Sequence, residues 1–322
     1  MKLLIIGIDG LSDRTYYDLD LPMKFIRDKL LPKSMYGTSK SFIQKNRQGK
    51  FDPHTGPNWS SIYTGVPPEV HGIDYGGWLF DHKGHGNLKV KSVWREISKR
   101  YKLGLIGMPI TYPAFPCSWM MSGFPNSRVS PNSVYPPDLK MDKGFKTDYG
   151  DGKKGWKDNL RDTWDKGGAA KLFGIEDEKF HMAAKLHAVE PVDVLAFGTT
   201  VVDKVCHLFT LFSNQGFLTY RRVDILVKRL FEHYNPEQLI IVSDHGFRAI
   251  EGRHSPNGFY LWYDKEQEKS EIRTVSIIET TKMILTALDM DLDMIGKGSK
   301  EEEYEQEDKD FITQNMKELG YL

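Results

Sequence analysis

The sequence predicts an α/β protein with a mostly parallel central sheet and helices on both of its faces. Three observations predict it. Short runs that are apolar throughout, rather than alternating, recur along the chain, the pattern of strands buried on both sides. Stretches with helical spacing separate them. Hydrophobic residues make up 39% of the 322, enough for a sizeable core and against a disordered chain.

The first run, Leu3–Ile8, ends at Asp9 and Gly10. A helix over 92–100 leads into a strand over 102–108. A helix over 177–189 leads into a strand over 192–197, and a long helix over 218–234 into a strand over 238–243. Residues 258–263, GFYLWY, make a further strand. Ligands of such sheets lie beyond the C-terminal strand ends, where Asp9 and Asp244 fall.

One stretch breaks the rhythm. Residues 140–171 hold six glycines and many charges, with Phe145, Tyr149, Trp156 and Trp164. They read as an irregular cap, either a surface excursion pinned by its rings or a lid over substrate. Residues 300–322 carry eight acidic and three basic side chains, with apolar positions at roughly helical spacing, and predict an amphipathic closing helix. The whole chain is expected to be one catalytic domain, 1–322.

Lys+Arg and Asp+Glu are both 44. With no net charge, nothing draws the chain globally to a nucleic-acid polymer or a membrane, and any anion must be gripped locally. Cys117 and Cys206 cannot build a disulfide framework or a Cys-rich zinc site. The opening apolar run is too short for a secretory signal, and no stretch reaches the ~20 apolar residues of a span. The expectation is a soluble, cytoplasmic protein.

The chemistry lies in the acids and imidazoles. Asp203 and His207 are spaced i, i+4 and share one face if helical. Asp244-His245-Gly246 follows a strand, and His254 stands nine residues on. Carboxylates at buried strand ends are costly unless paired or metal-bound. A set of Asp and His without Cys suits zinc, manganese or iron better than calcium. Each signal alone is weak, since a strand-end Asp is often a helix cap and an Asp-x-x-x-His pair a solvated helix face. The force lies in the set.

A further segment reads His54-Thr55-Gly56-Pro57-Asn58-Trp59-Ser60-Ser61, then His71-Gly72-Ile73. Thr55 is placed as an N-cap, with Pro57 in the first turn of a helix whose free N–H groups face an anion. A threonine hydroxyl is a poor nucleophile near neutrality and needs a metal or base. His71 is expected to order its loop and His54 to be structural. His82 and His85 are expected in an exposed turn, and Trp59 in the core.

In order and spacing, IIGIDG, TGPNWSSIYTGVPPEVHGI, MPITYPAFP, TTVVDKVCHLF, VSDHGF, RHSPNGFYLW and the terminal LGYL resemble the alkaline phosphatase superfamily. The resemblance is to its type I phosphodiesterase/nucleotide pyrophosphatase branch, including prokaryotic phosphohydrolase- and phosphomutase-like members. It implies an alkaline-phosphatase-like fold and two divalent ions, zinc first and manganese or iron as alternatives. One ion would be held by Asp203, His207 and His254, the other by Asp9, Asp244 and His245, with Thr55 bridging to the latter as nucleophile. It implies hydrolysis of a small phosphorylated substrate, a nucleotide among the candidates, through a phosphothreonine. The branch's asparagine after His-Gly-Ile is missing, since the stretch reads Asp74-Tyr75-Gly76-Gly77-Trp78. Asn58, with N–H groups at Gly56 and Asn58, is the expected replacement at the phosphoryl oxygens. Two alternatives stand beside the phosphodiesterase: a phosphomonoesterase or phosphomutase on the same scaffold, and a non-catalytic metal protein that binds a phosphoryl ligand.

Overall fold

The computed structural model describes residues 1–45, 49–79, 85–126, 130–139 and 156–298, together with 310, 313 and 314. Nine strands of these residues form the main sheet. Their order is Glu271–Ser276, Ser34–Lys40, Asn257–Asp264, Gln238–Val242, Leu3–Ile8, Val194–Thr199, Leu103–Ile106, Trp119–Met121 and Val134–Tyr135. The five strands from Gln238–Val242 to Trp119–Met121 run parallel. Asn257–Asp264 and Val134–Tyr135 run antiparallel to their neighbours.

Leu3–Ile8, Val194–Thr199 and Leu103–Ile106 are buried along their whole length, as their unbroken apolar runs require. Helices cover both faces. Gly168–Val189, Val201–Phe209 and Asn214–Tyr234 pack together as one group, and Thr55–Thr64 packs with Val93–Ile97 and Glu279–Ala287 as another. The Asn214–Tyr234 helix starts where Ser213 Oγ accepts the Gly216 N–H at 3.0 Å and ends at Asn235 in the left-handed region. Replacing Ser213 with Ala should cost about 1 kcal/mol and lower the melting temperature by on the order of 2 °C. An unchanged melting curve would show that this cap contributes nothing.

Several expectations shift. The helix expected over 92–100 is only Val93–Ile97, while those expected over 177–189 and 218–234 begin earlier, at Gly168 and Asn214. Ser34–Lys40, an interior strand, has no apolar run. Its hydroxyls are instead satisfied in place: Ser34 Oγ donates to Leu30 O at 2.7 Å and Thr38 Oγ1 to Asp13 Oδ2 at 3.0 Å, which removes the penalty of burying them. Glu271–Ser276 is a largely exposed edge whose charges blunt further pairing.

His85 is buried rather than in an exposed turn. Its Nε2 lies 2.8 Å from Ser92 Oγ and its ring stacks on Phe115. Burial, with Arg95 nearby, holds its imidazole down to about 3. His82 lies outside the described residues. Within the expected cap, Trp164 is buried against Phe173 and Phe209 and serves the core. Phe145 and Tyr149 lie outside the described residues, as does most of 300–322.

Candidate metal centre and nucleophile

The parallel strands place the acids. Leu3–Ile8 lies between Val194–Thr199 and Gln238–Val242 in level register, with Gly7 opposite both Gly198 and Val242. The residues just past these strand ends therefore emerge side by side. Asp9 follows the first strand, and its N–H donates to Thr199 O at 2.9 Å. Gly10 turns the chain at φ 75°, and a Cβ there would sit 3.1 Å from Asp203 Cα. That absence of a side chain lets the Val201–Phe209 helix approach until Asp203 N–H donates to Asp9 O at 3.2 Å. Asp244 follows the third strand, and its Oδ1 accepts the Gly10 N–H at 3.2 Å. Asp203 and His207 lie on one helix, as their spacing predicts.

All three histidines are oriented alike. Nδ1–H donates to a backbone carbonyl in each: Gly252 O for His207 at 3.0 Å, Gly246 O for His245 at 3.2 Å, and Pro53 O for His254 at 2.8 Å. This fixes Nδ1 as the backbone-bonded nitrogen and turns each Nε2 into the cluster, where it can ligate once it carries no proton. The Nε2 atoms gather around Asp203 Oδ1, at 3.3 Å for His207, 3.2 Å for His254 and 3.9 Å for His245. His207 Nε2 and His254 Nε2 are 2.9 Å apart. Two lone pairs that close repel unless a proton or a cation lies between them.

On the other side, His245 Nε2 lies 3.4 Å from Asp9 Oδ1 and 3.3 Å from Asp244 Oδ2. These three atoms are buried and none has a hydrogen-bond partner among the described residues. Converging orphan donors of this kind suit a metal ion: ligand atoms of a tetrahedral zinc with bonds of about 2.0–2.1 Å sit roughly 3.3 Å apart. Two ligand groups thus form among the described residues, Asp203 with His207 and His254, and Asp9 with Asp203 and His245. The sequence reading assigns Asp203 to one ion alone. In the structure its carboxylate belongs to both groups, while Asp244 Oδ2 lies beside the second, 3.3 Å from His245 Nε2.

The electrostatics call for cations. Burial, then repulsion from Asp244 and Asp203, pushes the Asp9 carboxyl well above its ordinary range. Burial and Asp203 do the same to Asp244. For Asp203 burial acts upward too, but His207 and His254 beside it bring the carboxyl well below its usual value. Burial, and then His254, drives His245 well down. Burial alone would lower His254, yet its hydrogen bond to Asp203 raises it. Lys204, almost wholly buried, donates to Thr200 Oγ1 at 3.0 Å. Burial brings its ammonium down to about 7 against the pull of Asp9.

Thr55 is tied to both groups through its neighbours. Pro53, two residues before it, accepts from His254. Trp59, four residues after it and so on the same helix face, donates Nε1–H to Asp9 Oδ2 at 3.3 Å. Trp59 is fully buried, as expected of a core ring. Thr55 is itself the first helical residue, and His54 takes the N-cap position without a side-chain cap, which corrects the N-cap reading. First-turn N–H groups at Thr55 and Gly56 find no intrahelical acceptor.

The Asn58 expectation does not survive. Its Oδ1 accepts from Phe42 N–H at 2.8 Å, its Nδ2 donates to Phe42 O and His54 O at 3.1 and 3.0 Å, and its N–H bonds His54 O at 3.2 Å. Fully buried and committed, Asn58 pins the 42-loop to the helix start instead of reaching a phosphoryl oxygen. Gly56 is pressed by Trp78, whose ring would be 2.2 Å from a Cβ there. The His54 ring lies 4.2 Å from that of Tyr75, and burial, aided by His254, holds its imidazole down to about 4. His71 orders its loop as expected, accepting from Ile73 N–H at 3.1 Å and meeting Ser61 Oγ at 3.0 Å. Sequence reasoning missed the carbonyls of Pro53, Gly246 and Gly252, because a backbone acceptor leaves no residue-type signal.

The chain belongs to the type I phosphodiesterase/nucleotide pyrophosphatase family, whose model matches residues 3–318. Its fold is similar to that of the lipoteichoic acid synthase LtaP from Listeria monocytogenes, with a TM-score of 0.54 at 10% identity over 99% of this chain and 90% of that one. It is also similar to murine ectonucleotide pyrophosphatase/phosphodiesterase 5, with a TM-score of 0.50 at 11% identity over 90% and 96%. For the alkaline phosphatase of the Antarctic bacterium TAB5 the values are 0.50, 11%, 89% and 98%. No curated protein matches the chain in sequence.

Proposed function

We propose that the chain hydrolyses phosphoric diesters of the nucleotide type, with Thr55 as nucleophile and two divalent ions, zinc first, in the Asp/His cluster. The observation that carries this reading is the convergence of orphaned Asp9 Oδ1, Asp244 Oδ2 and His245 Nε2 beside the Asp203–His207–His254 group. Asp203, His207 and His254 would hold one ion, and Asp9, Asp244 and His245 the other, with Asp203 near both. When bound, such a pair supplies Lewis acidity to the attacking and leaving oxygens.

The chain's own groups do the rest. Thr55 Oγ gives up its proton to solvent and attacks phosphorus in line, the new P–O bond forms as the ester bond opposite breaks, and the leaving alkoxide takes a proton from water. Water then cleaves the phosphothreonine and restores the Thr55 hydroxyl. The N–H groups of Thr55 and Gly56 offer donors to the phosphoryl oxygens. His54 and Tyr75, beside the Trp78 ring over Gly56, supply aromatic surface for a base. The nucleotide class also draws support from the mouse protein named above, an inactive variant of which has been solved in complex with AMP.

One observation favours a second reading. Lys204 brings a buried amine close to Asp9, its ammonium lowered to about 7 by burial, and in its charged form it would suit the dianion of a monoester. Rates on an aryl phosphodiester and the matching monoester separate the two. The first reading expects the diester to be cleaved at least about tenfold faster, with nucleoside monophosphate released from dinucleotides. A reversed preference would make the protein a monoesterase or mutase. Tight metal and phosphate binding without turnover of any ester would leave only a binding protein.

A further inference from the structure

The three imidazoles of the candidate centre are aimed by carbonyls of very different origin. His245 donates to Gly246 O, the next residue along, so its orientation is set locally. The acceptor of His207, Gly252 O, lies 45 residues further on, and that of His254, Pro53 O, lies 201 residues back. Both carbonyls have to be carried to the centre and kept there. An acceptor displaced by about 1 Å would let its ring swing and loosen the ligand group.

One ion pair stands next to both of these carbonyls. Arg253 Nη2 donates to Asp52 Oδ2 at 3.2 Å. Arg253 directly follows Gly252, and Asp52 directly precedes Pro53. Each partner sits in a segment with its own anchor. Asp52 belongs to the strand Phe51–Pro53, which pairs with Ile43–Lys45. Arg253 closes a turn in which its O accepts the Arg248 N–H at 2.9 Å, and the strand His254–Ser255 after it pairs with Gly246–Phe247. Within this turn Gly252 takes φ 58°, and a Cβ there would lie 3.3 Å from the carbonyl oxygens of Cys206 and His207. The missing side chain lets the turn rest on the end of the Val201–Phe209 helix that carries His207. The ion pair therefore joins turn and strand where each hands a carbonyl to an imidazole.

As a stabiliser the pair is poor. The Arg253 side chain is 40% exposed, where ion pairs contribute little. Asp52 Oδ1 is buried with no hydrogen-bond partner among the described residues, which carries a cost of its own. We propose that Asp52 and Arg253 are positioning residues. They hold Gly252 O and Pro53 O so that His207 and His254 both present Nε2 to Asp203 Oδ1, and thereby set the affinity of that ligand group for its ion. His245 and the strand-end acids Asp9 and Asp244 are placed without the pair. Such a role presupposes two bound ions, as proposed above. Because Pro53 leads through His54 into Thr55, the same pair ties that ligand group to the start of the nucleophile's helix.

The test challenges the full zinc-loaded chain with rising concentrations of a chelator, counts the zinc retained at each step, and follows melting of the metal-free chain. Wild type should hold two ions. Asp52→Asn and Arg253→Gln should each release one ion at about tenfold lower chelator, the scale on which partners behind metal ligands act. Both should keep the other ion and the metal-free melting temperature of wild type. The double variant should lose no more than either single, since the two side chains act as one contact. Arg253→Lys, which keeps a cation within reach of Asp52, should recover most of the affinity. In a His207→Ala background, which already lacks a ligand of the affected group, Arg253→Gln should change nothing further. Wild-type retention of both ions by the single variants overturns the proposal. So does equal weakening of both ions, a double loss near about a hundredfold, or a metal-free melting temperature that falls in step with the affinity. A wild-type chain that holds no zinc would instead overturn the two-ion reading, and the positioning role with it.

Discussion

Thr55→Ala should abolish hydrolysis of an aryl phosphodiester while leaving metal content near two per chain. The expected loss is roughly a thousandfold or more, the scale on which removing a covalent nucleophile acts. The substitution deletes one hydroxyl and one methyl from the first residue of the Thr55–Thr64 helix. The contacts that hold that helix start run through its neighbours, from Pro53 O to His254, from Asn58 to the 42-loop, and from Trp59 to Asp9. They do not pass through the Thr55 side chain, so the fold should hold. Rate and metal are measured on the same sample, with Thr55→Ser as partial rescue. Near-normal turnover by the alanine variant would remove Thr55 from the mechanism.

Asp203→Asn should have the largest effect on metal. Because Asp203 Oδ1 stands in both ligand groups, loss of its charge should weaken both ions and leave well under one per chain by elemental analysis. His207→Ala removes a ligand from one group only and should leave close to one. Two tightly held ions in Asp203→Asn would contradict the shared role. Metal binding must also displace protons. The carboxyls of Asp9 and Asp244 are held well above their ordinary range by burial, so the ion competes with protons there. Stabilisation by added zinc should therefore grow as pH rises from acid toward neutrality, reaching about 2.7 kcal/mol at a hundredfold excess over Kd. The buried histidines His71 and His85 are held down by burial away from the cluster and cancel in this difference. A zinc-induced shift in melting temperature that shrinks with rising pH would refute the displacement.

Much of this was legible because burial leaves a mark on residue type. Leu3–Ile8 could be read to the residue, since a strand covered on both faces can hold nothing polar. Asp9, Asp203, His207, Asp244, His245 and His254 stand out as a set because costly side chains lie at strand ends and at helical spacing, whereas Thr55 is singled out by its place before a helix and by the family resemblance. What stayed hidden was decided by partners far along the chain. Ser34–Lys40 is an interior strand only because Leu30 and Asp13 satisfy its hydroxyls. Asn58 looked like a free donor until Phe42 and His54 took all of its hydrogen bonds. The two-sided position of Asp203 depends on how closely one helix approaches Gly10, a distance that spacing in a sequence does not encode.

The candidate ligands come from both halves of the chain. Asp9 follows the first strand, and Asp203, Asp244, His245 and His254 lie some two hundred residues later, brought beside it where the parallel strands end in level register. On the proposed metal reading, no fragment emerging early in synthesis would hold enough of them to capture an ion, so a metal could not template assembly here as zinc does in small finger domains. Any loading would then wait for slow, long-range closure of the polypeptide, and the supply of the ion would act on the finished fold rather than on the early chain.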